Sequence, residues 1–362
     1  MRPLRVLVLV HEDLVPPDTV EGVDLSTVEW RTEYEVVNTL REIGHEVRPL
    51  GVQHELAVIR QAVDEWKPHI AFNLLEEFSG VAIYDQNVVS YLELLKVPYT
   101  GCNPRGLMLA RDKGLAKKIL YYHRIPIPEF ITVPLGRSVK RPKELAFPLI
   151  VKSVSEEASL GISQASIVDD DDKLQERVRF IHQSVGTGAL VERYIEGREL
   201  YVGVMGNHRL QVFPLWELDM SRLPEEARKI ATARVKWSRV YQQKYGLRSD
   251  AAGDLMESQR QVFQNLAKRV YRSLGLSGYA RVDFRLDPAG QVYVLEANPN
   301  PHIAPVEDFA SSAISADLPY SALLQRILDL GLRWHPHVTP SDKTTPVPSR
   351  VGKGQDPRVT PP

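Results

Sequence analysis

Hydrophobic positions in the first third of the chain alternate between short continuous runs and helical spacing. The runs predict strands and the helical spacings predict helices, with Gly44 ending the first helix. The predicted strands cover residues 5–10, 46–50 and 70–74, and the predicted helices cover residues 36–43 and 56–66. An apolar run without polar interruptions is typical of a parallel strand that is buried on both faces. The pattern therefore predicts an open α/β domain that extends to about residue 105.

The rest of the chain mixes strands and helices less regularly. The predicted helices there cover residues 103–122, 258–274 and 320–332, and the predicted strands cover residues 147–152 and two runs within residues 189–205. From Trp334 onward the chain is crowded with Pro, Ser, Thr and charged residues and has no apolar period. Residues 334–362 are therefore predicted to form a disordered tail.

A hairpin is predicted near the C-terminal end of the folded part. Two runs of alternating β-branched and aromatic residues flank residues 287–290, where Asp, Pro and Gly occupy positions that a type I turn favours. Pairing Leu286 with Gln291 across the turn sets the register. One face then carries Asp283 opposite Val294, Arg281 opposite Glu296, and Asn298. The other face carries Val282, Phe284, Leu286, Tyr293 and Leu295, and is apolar enough to pack on a core.

The polar face of this hairpin collects an arginine, two carboxylates and an amide. Asp283, Glu296 and Asn298 supply hard oxygen ligands at short range, which suit Mg²⁺ bound together with phosphate oxygens. Arg281 offers a planar fork to a carboxylate or a phosphate. The alternative is a solvated sheet face on which Arg281 and Glu296 form a cross-strand ion pair. Two prolines directly after the carboxylate stop the strand and favour the ligand site.

Composition narrows the classes of protein and of partner. At 362 residues the chain is long enough for two or three domains with their own cores. A formal net charge of -1 gives no electrostatic reason to expect a nucleic acid or a membrane as partner. The single cysteine, Cys102, excludes an internal disulfide framework and fits a reducing compartment. Since the apolar run at residues 4–10 is too short for a signal peptide, we expect a cytoplasmic location.

The hairpin motif resembles that of a known superfamily. Arg281-Val-Asp283 followed by Leu295-Glu-Ala-Asn-Pro-Asn-Pro301 is similar to the metal-binding hairpin of the ATP-grasp superfamily, most closely of its D-alanine-D-alanine ligase-like members. The similarity runs from the first strand to about residue 331. It implies an ATP-grasp fold of the α/β and α+β class, with an N-terminal open α/β domain and two further α+β lobes that enclose the nucleotide. The implied domains are residues 1–105, a central lobe at 106–190, a C-terminal lobe with the metal site at 191–333, and the tail at 334–362.

The resemblance also implies which residues bind the ATP. Lys113 and Lys152 would reach its phosphates, and Ser159 with the backbone near Gly161 would cover them. The adenine edge would meet Glu192 and the backbone around Arg193 and Ile195, and the ribose hydroxyls would meet Glu199. By sequence alone Lys113 would be an ordinary surface lysine, and carboxylates that flank a turn are commonplace.

A lysine-tyrosine pair and the hairpin complete the implied catalytic set. Lys244 would contact the terminal phosphate, and Tyr245 would shield the acyl intermediate from water. Arg281 would stabilise the transferring group, while Asp283, Glu296 and Asn298 would bind Mg²⁺ or Mn²⁺. The alternative for the pair is an exposed helix on which Tyr241 packs against Tyr245.

The implied activity is ATP-dependent ligation of a carboxylate to an amine through an acyl phosphate. Ala158 falls where the family has its serine for the first D-alanine, and Glu307 falls near the serine that receives the second substrate's carboxylate. An acid there would repel a carboxylate and attract an amine or a guanidinium. We therefore expect amino acids or small amines other than D-alanine as substrates.

Several alternatives stay open at the level of sequence. The chain could be a genuine D-alanine-D-alanine ligase, a kinase that uses the same fold, or a nucleotide-binding module without chemistry. The acids at residues 12–13 and 76–77 fall at the carboxyl ends of predicted strands, where they either hold an amine-bearing substrate or are solvated loop residues. The expected partners are small-molecule carboxylate and amine substrates, without nucleic acid or membrane. A homodimer is possible because related ligases often form one.

Overall fold

The computed structural model describes residues 2–25, 27–156 and 161–336 of the chain. Its strands are β1 (Arg5–His11), β2 (Glu46–Val52), β3 (Ile70–Asn73), β4 (Phe130–Val133), β5 (Leu149–Ser153), β6 (Ile167–Val168), β7 (Ala189–Arg193), β8 (Arg198–Met205), β9 (Gln211–Val212), β10 (Trp216–Asp219), β11 (Arg248–Ala251), β12 (Tyr279–Leu286) and β13 (Val292–Pro299). Its helices are α1 (Arg31–Glu42), α2 (Ala57–Trp66), α3 (Asp85–Leu94), α4 (Pro104–Arg111), α5 (Lys113–Tyr122), α6 (Asp171–Phe180), α7 (Ala233–Trp237), α8 (Arg239–Tyr245), α9 (Glu257–Ser273), α10 (Asp308–Ile314) and α11 (Tyr320–Leu332).

The N-terminal sheet is parallel, with strand order β2-β1-β3. β1 lies in the middle, and its residues from Val6 to Val10 are completely buried because both faces are covered. α1 and α11 pack on one face and α2 and α3 on the other. This arrangement confirms the α/β alternation that the sequence predicted.

A four-stranded antiparallel sheet, with order β4-β7-β5-β6, forms the central part of the chain. α6 covers one face, where Leu174 and Val178 pack on Leu149 and Val151. Since side chains alternate along β5, Ile150 and Lys152 point to the opposite face. The proposed boundary between residues 190 and 191 falls inside β7, which remains paired in this sheet as far as Arg193.

The third sheet has the order β11-β10-β8-β12-β13, with β9 paired to β8. α9 packs on one face of it through Phe263, Leu266 and Val270. That helix covers Phe284, whose ring lies edge-on to the ring of Phe263 at 5.3 Å between centroids. The opposite face of β12 is therefore left to line a cleft toward the central sheet.

The hairpin of β12 and β13 is confirmed, but its predicted register is wrong. Asp283 lies opposite Glu296 rather than Val294, and Arg281 lies opposite Asn298 rather than Glu296. The difference has two causes. Gln291 belongs to the turn, so that Leu286 pairs with Val292, and a bulge after Asp283 leaves Leu295 as an extra residue in β13. As a result, Val292 and Val294 replace Tyr293 and Leu295 on the apolar face.

Two further predictions need correction. The single helix predicted over residues 103–122 is two helices, because Asp112 leaves the helical conformation and its carboxylate caps α5 through the N–H of Leu115. The break makes Lys113 the first residue of α5. The predicted disordered tail is wrong at its first residue, since Trp334 packs on the core and donates a hydrogen bond to Glu93. Residues 337–362 lie outside the described part of the chain.

Over the described ranges, no helix is both long enough and apolar enough to cross a membrane.

Candidate active site

A cleft between the central and third sheets brings many of the predicted residues together. Those that line it are Lys113, Ile150, Lys152, Ser153, Glu156, Ile162, Glu199, Ile230, Ala231, Lys236, Asp283, Arg285, Leu295 and Glu296. Isoleucines and a leucine thus share the cleft with several lysines and carboxylates. A mixture of apolar walls and convergent charges is what a small, anionic ligand with an aromatic part requires.

The two hairpin carboxylates face each other at one end of the cleft. Burial raises the pKa of Asp283 to about 6, against the lowering effect of Arg281, and the charge of Glu296 adds to the rise. Burial also acts to raise the pKa of Glu296, but Lys113, Lys152 and Lys236 lower it to about 2. Two close acids of which one is held ionised attract a further cation.

Arg281 is fixed beside this pair by several contacts. Its Nε and Nη2 donate to the two oxygens of Asp283 at 2.8 and 2.9 Å, and its Nη1 lies 3.5 Å from Asp308. The guanidinium also lies over the ring of Tyr201, 4.6 Å from the centroid. Asn298 donates to Asp283 at 3.0 Å through Nδ2. The ion pair between Arg281 and Glu296, which the sequence offered as an alternative, is replaced by the pair of Arg281 with Asp283, because the register of the hairpin differs from the predicted one.

Three lysines from three different segments surround Glu296. Lys113 comes from the first turn of α5, where its Nζ donates to the carbonyl of Glu156 at 2.7 Å and lies 3.9 Å from Glu296. Lys152 comes from β5 and Lys236 from α7. All three lysines line the same cleft as Glu296, and each acts to lower the pKa of its carboxyl.

Glu192 holds two of the central lysines instead of facing the cleft. It is almost fully buried, and its oxygens form ion pairs with Lys152 and with Lys117, the latter at 2.7 Å. Burial acts to raise the pKa of Glu192, but the two lysines lower it. Glu192 is therefore placed to anchor Lys152, and its contact with the adenine edge stays a prediction of the resemblance.

The connection between β7 and β8 carries the other predicted nucleotide contacts. The side chain of Arg193 donates to the Glu129 carboxylate at 2.5 Å, and its backbone N–H donates to the Glu129 carbonyl at 2.9 Å. The guanidinium and the backbone N–H of Arg193 thus both have partners within the protein. Ile195 follows in the connection and is buried. Glu199 does line the cleft, where it accepts a hydrogen bond from Arg285 at 2.8 Å.

Lys244 and Tyr245 lie outside this cleft. Tyr245 packs on Tyr241, with ring centroids 4.8 Å apart, in a separate cluster with Val235 and Leu247. The Nζ of Lys244 lies 5.0 Å from the centroid of the Tyr245 ring. The packing of Tyr241 against Tyr245 is the alternative that the sequence analysis gave to a catalytic role of Lys244 and Tyr245.

Lys236 and Arg285 line the cleft and were missed. Lys236 is followed by Trp237, so the sequence contains two pairs of a lysine and an aromatic residue. The family has a tyrosine after its lysine, and the resemblance therefore points to Lys244 and Tyr245. Arg285 continues the alternation of Arg281 and Asp283 along β12, which was a signal available in the sequence. Ala158 and Ser159 lie outside the described residues.

The donor set at the hairpin fits a hard divalent cation. Asp283, Glu296 and Asn298 offer oxygen atoms only, and the two carboxylates are held opposite each other in one buried strand pair. Among the described residues, the hairpin included, no three or more His, Cys, Asp or Glu side chains form a group that could hold a metal ion, so the amide oxygen of Asn298 would have to complete this donor set. The hairpin is thus the place where the residues present match Mg²⁺ or Mn²⁺.

A second group of polar residues joins the N-terminal domain to the segment after β13. The hydroxyl of Thr32 lies 2.8 Å from Nε2 of His302, and Nδ1 of His302 lies 3.6 Å from the Glu307 carboxylate. Glu33, next to Thr32, is only 7 % exposed, and its Oε2 has no hydrogen-bond partner among the described residues. Burial raises the pKa of Glu33 to about 7, and the charge of Glu76 adds to the rise.

The sequence of the chain is similar to those of known ligases. The family model for the D-ala D-ala ligase C-terminus matches residues 120–329. The D-alanine--D-alanine ligase of Desulforudis audaxviator (strain MP104C) is 32% identical over 312 residues, covering 84% of this chain and 93% of that protein. The uncharacterized protein y4sG of Sinorhizobium fredii (strain NBRC 101917 / NGR234) is 30% identical over 303 residues, covering 82% of this chain and 86% of that protein.

A solved structure gives the fold independently. The D-alanine--D-alanine ligase from Bacillus anthracis, in its complex with ATP, aligns with a TM-score of 0.70 at 24% sequence identity, covering 91% of this chain and 98% of that one. The predicted ATP-grasp fold is therefore confirmed. The chain belongs to the D-alanine-D-alanine ligase family of ATP-grasp, ATP-dependent C–N ligases.

Proposed function

We propose that this chain uses ATP and Mg²⁺ to join a carboxylate to an amine other than D-alanine, by way of an acyl phosphate. The observation that carries the proposal is the opposed pair Asp283 and Glu296 with three lysines converging on Glu296. Phosphoryl transfer needs charge neutralisation and positioning more than it needs covalent chemistry from the protein. This cluster provides both at one end of the cleft.

Each step of the reaction has a role for residues of the chain. A carboxylate oxygen of the substrate bonds to the γ-phosphorus of ATP, and the bond to ADP breaks. Lys113, Lys152 and Lys236 offset the phosphate charge during this transfer, and Arg281 stabilises the transferring group. Asp283, Glu296 and Asn298 would hold the metal ion, which would supply further positive charge.

The amine then attacks the carbonyl carbon, giving a tetrahedral intermediate. The carbon–oxygen bond to phosphate breaks, and inorganic phosphate leaves with the electron pair while the amine loses a proton. The product is an amide. Arg281, fixed by Asp283 and Asp308, is oriented to stabilise the negative oxygen of that intermediate.

The acceptor side supports an amine other than D-alanine. Glu307 stands where the family's serine would receive the carboxylate of a second D-alanine, and its side chain makes no capping hydrogen bond to α10. The side chain is 31% exposed and faces His302. A carboxylate at this place repels the carboxylate of D-alanine and attracts a positively charged group.

The test is a product assay with the purified full chain. The chain would be incubated with Mg-ATP and a panel of L- and D-amino acids and small amines that includes D-alanine. The release of ADP and phosphate would be measured, and the products would be identified by mass spectrometry. We expect an amide from a pair other than two D-alanines, formed in step with ADP and phosphate. Robust ADP release that depends on D-alanine alone would refute the substrate proposal. Phosphate transfer to a hydroxylated compound, without amide, would identify a kinase.

A further inference from the structure

More carboxylates lie near the proposed acceptor site than are needed to bind a single amino group. Glu33 lies in the first turn of α1 and interacts with Glu76, which follows β3. Thr32 and His302 connect this part of α1 to Glu307 across the domain junction. Three carboxylates from three separate segments thus belong to this junction, and of these Glu307 lies beside His302.

One of these acids is in an unfavourable environment. Glu33 is more than nine-tenths buried, and its Oε2 makes no hydrogen bond within the described part of the chain. The neighbour named above is another carboxylate, whose charge opposes ionisation of Glu33. A backbone hydrogen bond acts to lower the pKa of Glu33, but one buried oxygen of its carboxylate is left without a partner, which is unfavourable. A cation bound here would relieve both the missing partner and the repulsion.

The acidic group is connected to the reacting centre. Asp308 directly follows Glu307 and lies 3.5 Å from Arg281, the residue beside the transferring phosphate in the proposed reaction. A molecule that reaches from Arg281 past Glu307 toward Glu33 would place one end at the acyl phosphate and the other end among the acids. The end among the acids must be positive to be held there.

We propose that the amine substrate carries a second positive charge, as a diamine or a basic amino acid does, and that Glu33, Glu76 and Glu307 hold that charge. This rests on the ligase function proposed above and names its acceptor class. The reacting amine must be neutral to attack, and a retained charge on the same molecule lowers the pKa of that amine. The acids thus position the acceptor through its retained charge.

The experiment compares acceptors that differ only in this charge. The pairs are lysine with norleucine, ornithine with norvaline, each as both enantiomers, and 1,4-diaminobutane with butylamine. Each would be offered with Mg-ATP and the carboxylate that gives most amide in the panel above, and kcat/KM would be taken from the amount of amide formed. We expect the charged member of at least one pair to be preferred by about tenfold or more.

Two variants localise the effect. Glu307→Gln and Glu33→Gln should each raise the KM for the charged acceptor by about tenfold with little change in kcat, and should leave the neutral analogue unaffected. Glu144→Gln, at an exposed glutamate of the central part, is the matched control. Since Glu33 is buried, its variant would be checked for an intact melting transition, while the half-exposed Glu307 gives an independent reading.

The outcomes separate the two proposals. Equal or lower kcat/KM for the charged member of every pair overturns the inference, but an amide from a neutral amine other than D-alanine keeps the proposed function. An unchanged KM for the charged acceptor in both variants overturns the inference as well. Absence of amide with every amine, or amide from D-alanine alone, overturns the proposed function and the inference with it.

Discussion

Two lysines that are each followed by an aromatic residue, Lys236 and Lys244, are candidates for the contact with the phosphates. Lys236 lines the cleft and lowers the pKa of Glu296, whereas the ammonium of Lys244 lies over the ring of Tyr245 in a different cluster. A lysine acts on a phosphate through its charge at short range. The position of the ammonium group, more than the neighbouring tyrosine, should therefore determine the role.

We expect Lys236→Ala to lower kcat by about 100-fold, because it removes one positive charge from the place where phosphate charge develops. Lys244→Ala should have a much smaller effect. Lys143→Ala, at an exposed lysine of the central part, is the control. The measurement is amide formation at saturating ATP for all three variants. A larger loss for Lys244→Ala than for Lys236→Ala would restore the assignment made from the sequence.

The sequence located the carboxylates of the site but not all of its cations. Asp283 and Glu296 were found because their side of the hairpin breaks an otherwise apolar pattern. Lys236 lies in a segment without clean periodicity, so nothing local showed which way its side chain points. The burial of Glu192 between two lysines depends on contacts between α5, β5 and β7, which are distant in sequence. Such contacts leave no periodic signal.

At the scale of elements, the hairpin shows what a pattern can and cannot predict. Its turn and its two strands follow from residue types that fit a type I turn and a pleated strand. The bulge at Leu295 does not, because leucine has no special preference for an unpaired strand position, and the residues around it fit either register. The turn is also one residue longer than predicted, and together with the unpaired Leu295 this moves Glu296 from opposite Arg281 to opposite Asp283. The site gained its facing carboxylates from that shift.

The entry to the hairpin is held by a close backbone contact. Gly278 has φ +68, and a Cβ added there would lie 2.3 Å from the carbonyl oxygen of Gly101 in the N-terminal domain. Gly290, in the turn of the same hairpin, has φ +84 and open space around it. The two glycines share an unfavourable conformation for other residues but differ in their surroundings.

We expect Gly278→Ala to lower the free energy of unfolding by about 3 kcal/mol or more, because the clash adds to the conformational strain. Gly290→Ala, with the strain alone, should lose about 1 kcal/mol. Urea titrations of both variants and of the parent chain measure the difference. Equal losses would mean that the loop of Gly101 moves away freely and that the contact does not hold β12 in place.

At the scale of the whole molecule, the N-terminal domain and the C-terminal segment meet at an interface that contains an ionisable group. Glu33 belongs to α1, which packs against α11. Its folded pKa of about 7 lies above its ordinary value of 4.5. Ionised Glu33 therefore destabilises the folded chain, and this destabilisation is absent below about pH 4.5 and complete above about pH 7.

Replacing Glu33 by glutamine removes that pH dependence. We expect Glu33→Gln to raise the free energy of unfolding by about 2 to 3 kcal/mol more at pH 8 than at pH 5. Denaturant titrations of the variant and of Glu144→Gln at both pH values provide the measurement and its control. A stability difference from the parent that is the same at both pH values would show that Glu33 titrates normally.

The shared core between α11 and the N-terminal sheet has a consequence for how the protein is made. Val6, Val8 and Phe72 pack in one cluster with Leu323, Leu324 and Ile327, although almost the whole chain separates them. Synthesis proceeds from the N-terminus, so β1 leaves the ribosome long before α11 exists. During that interval α1 alone covers this face of the nascent sheet, and the part under α11 can only be shielded by a chaperone or by transient contacts. The N-terminal domain thus completes its folding only once the last helix has been translated.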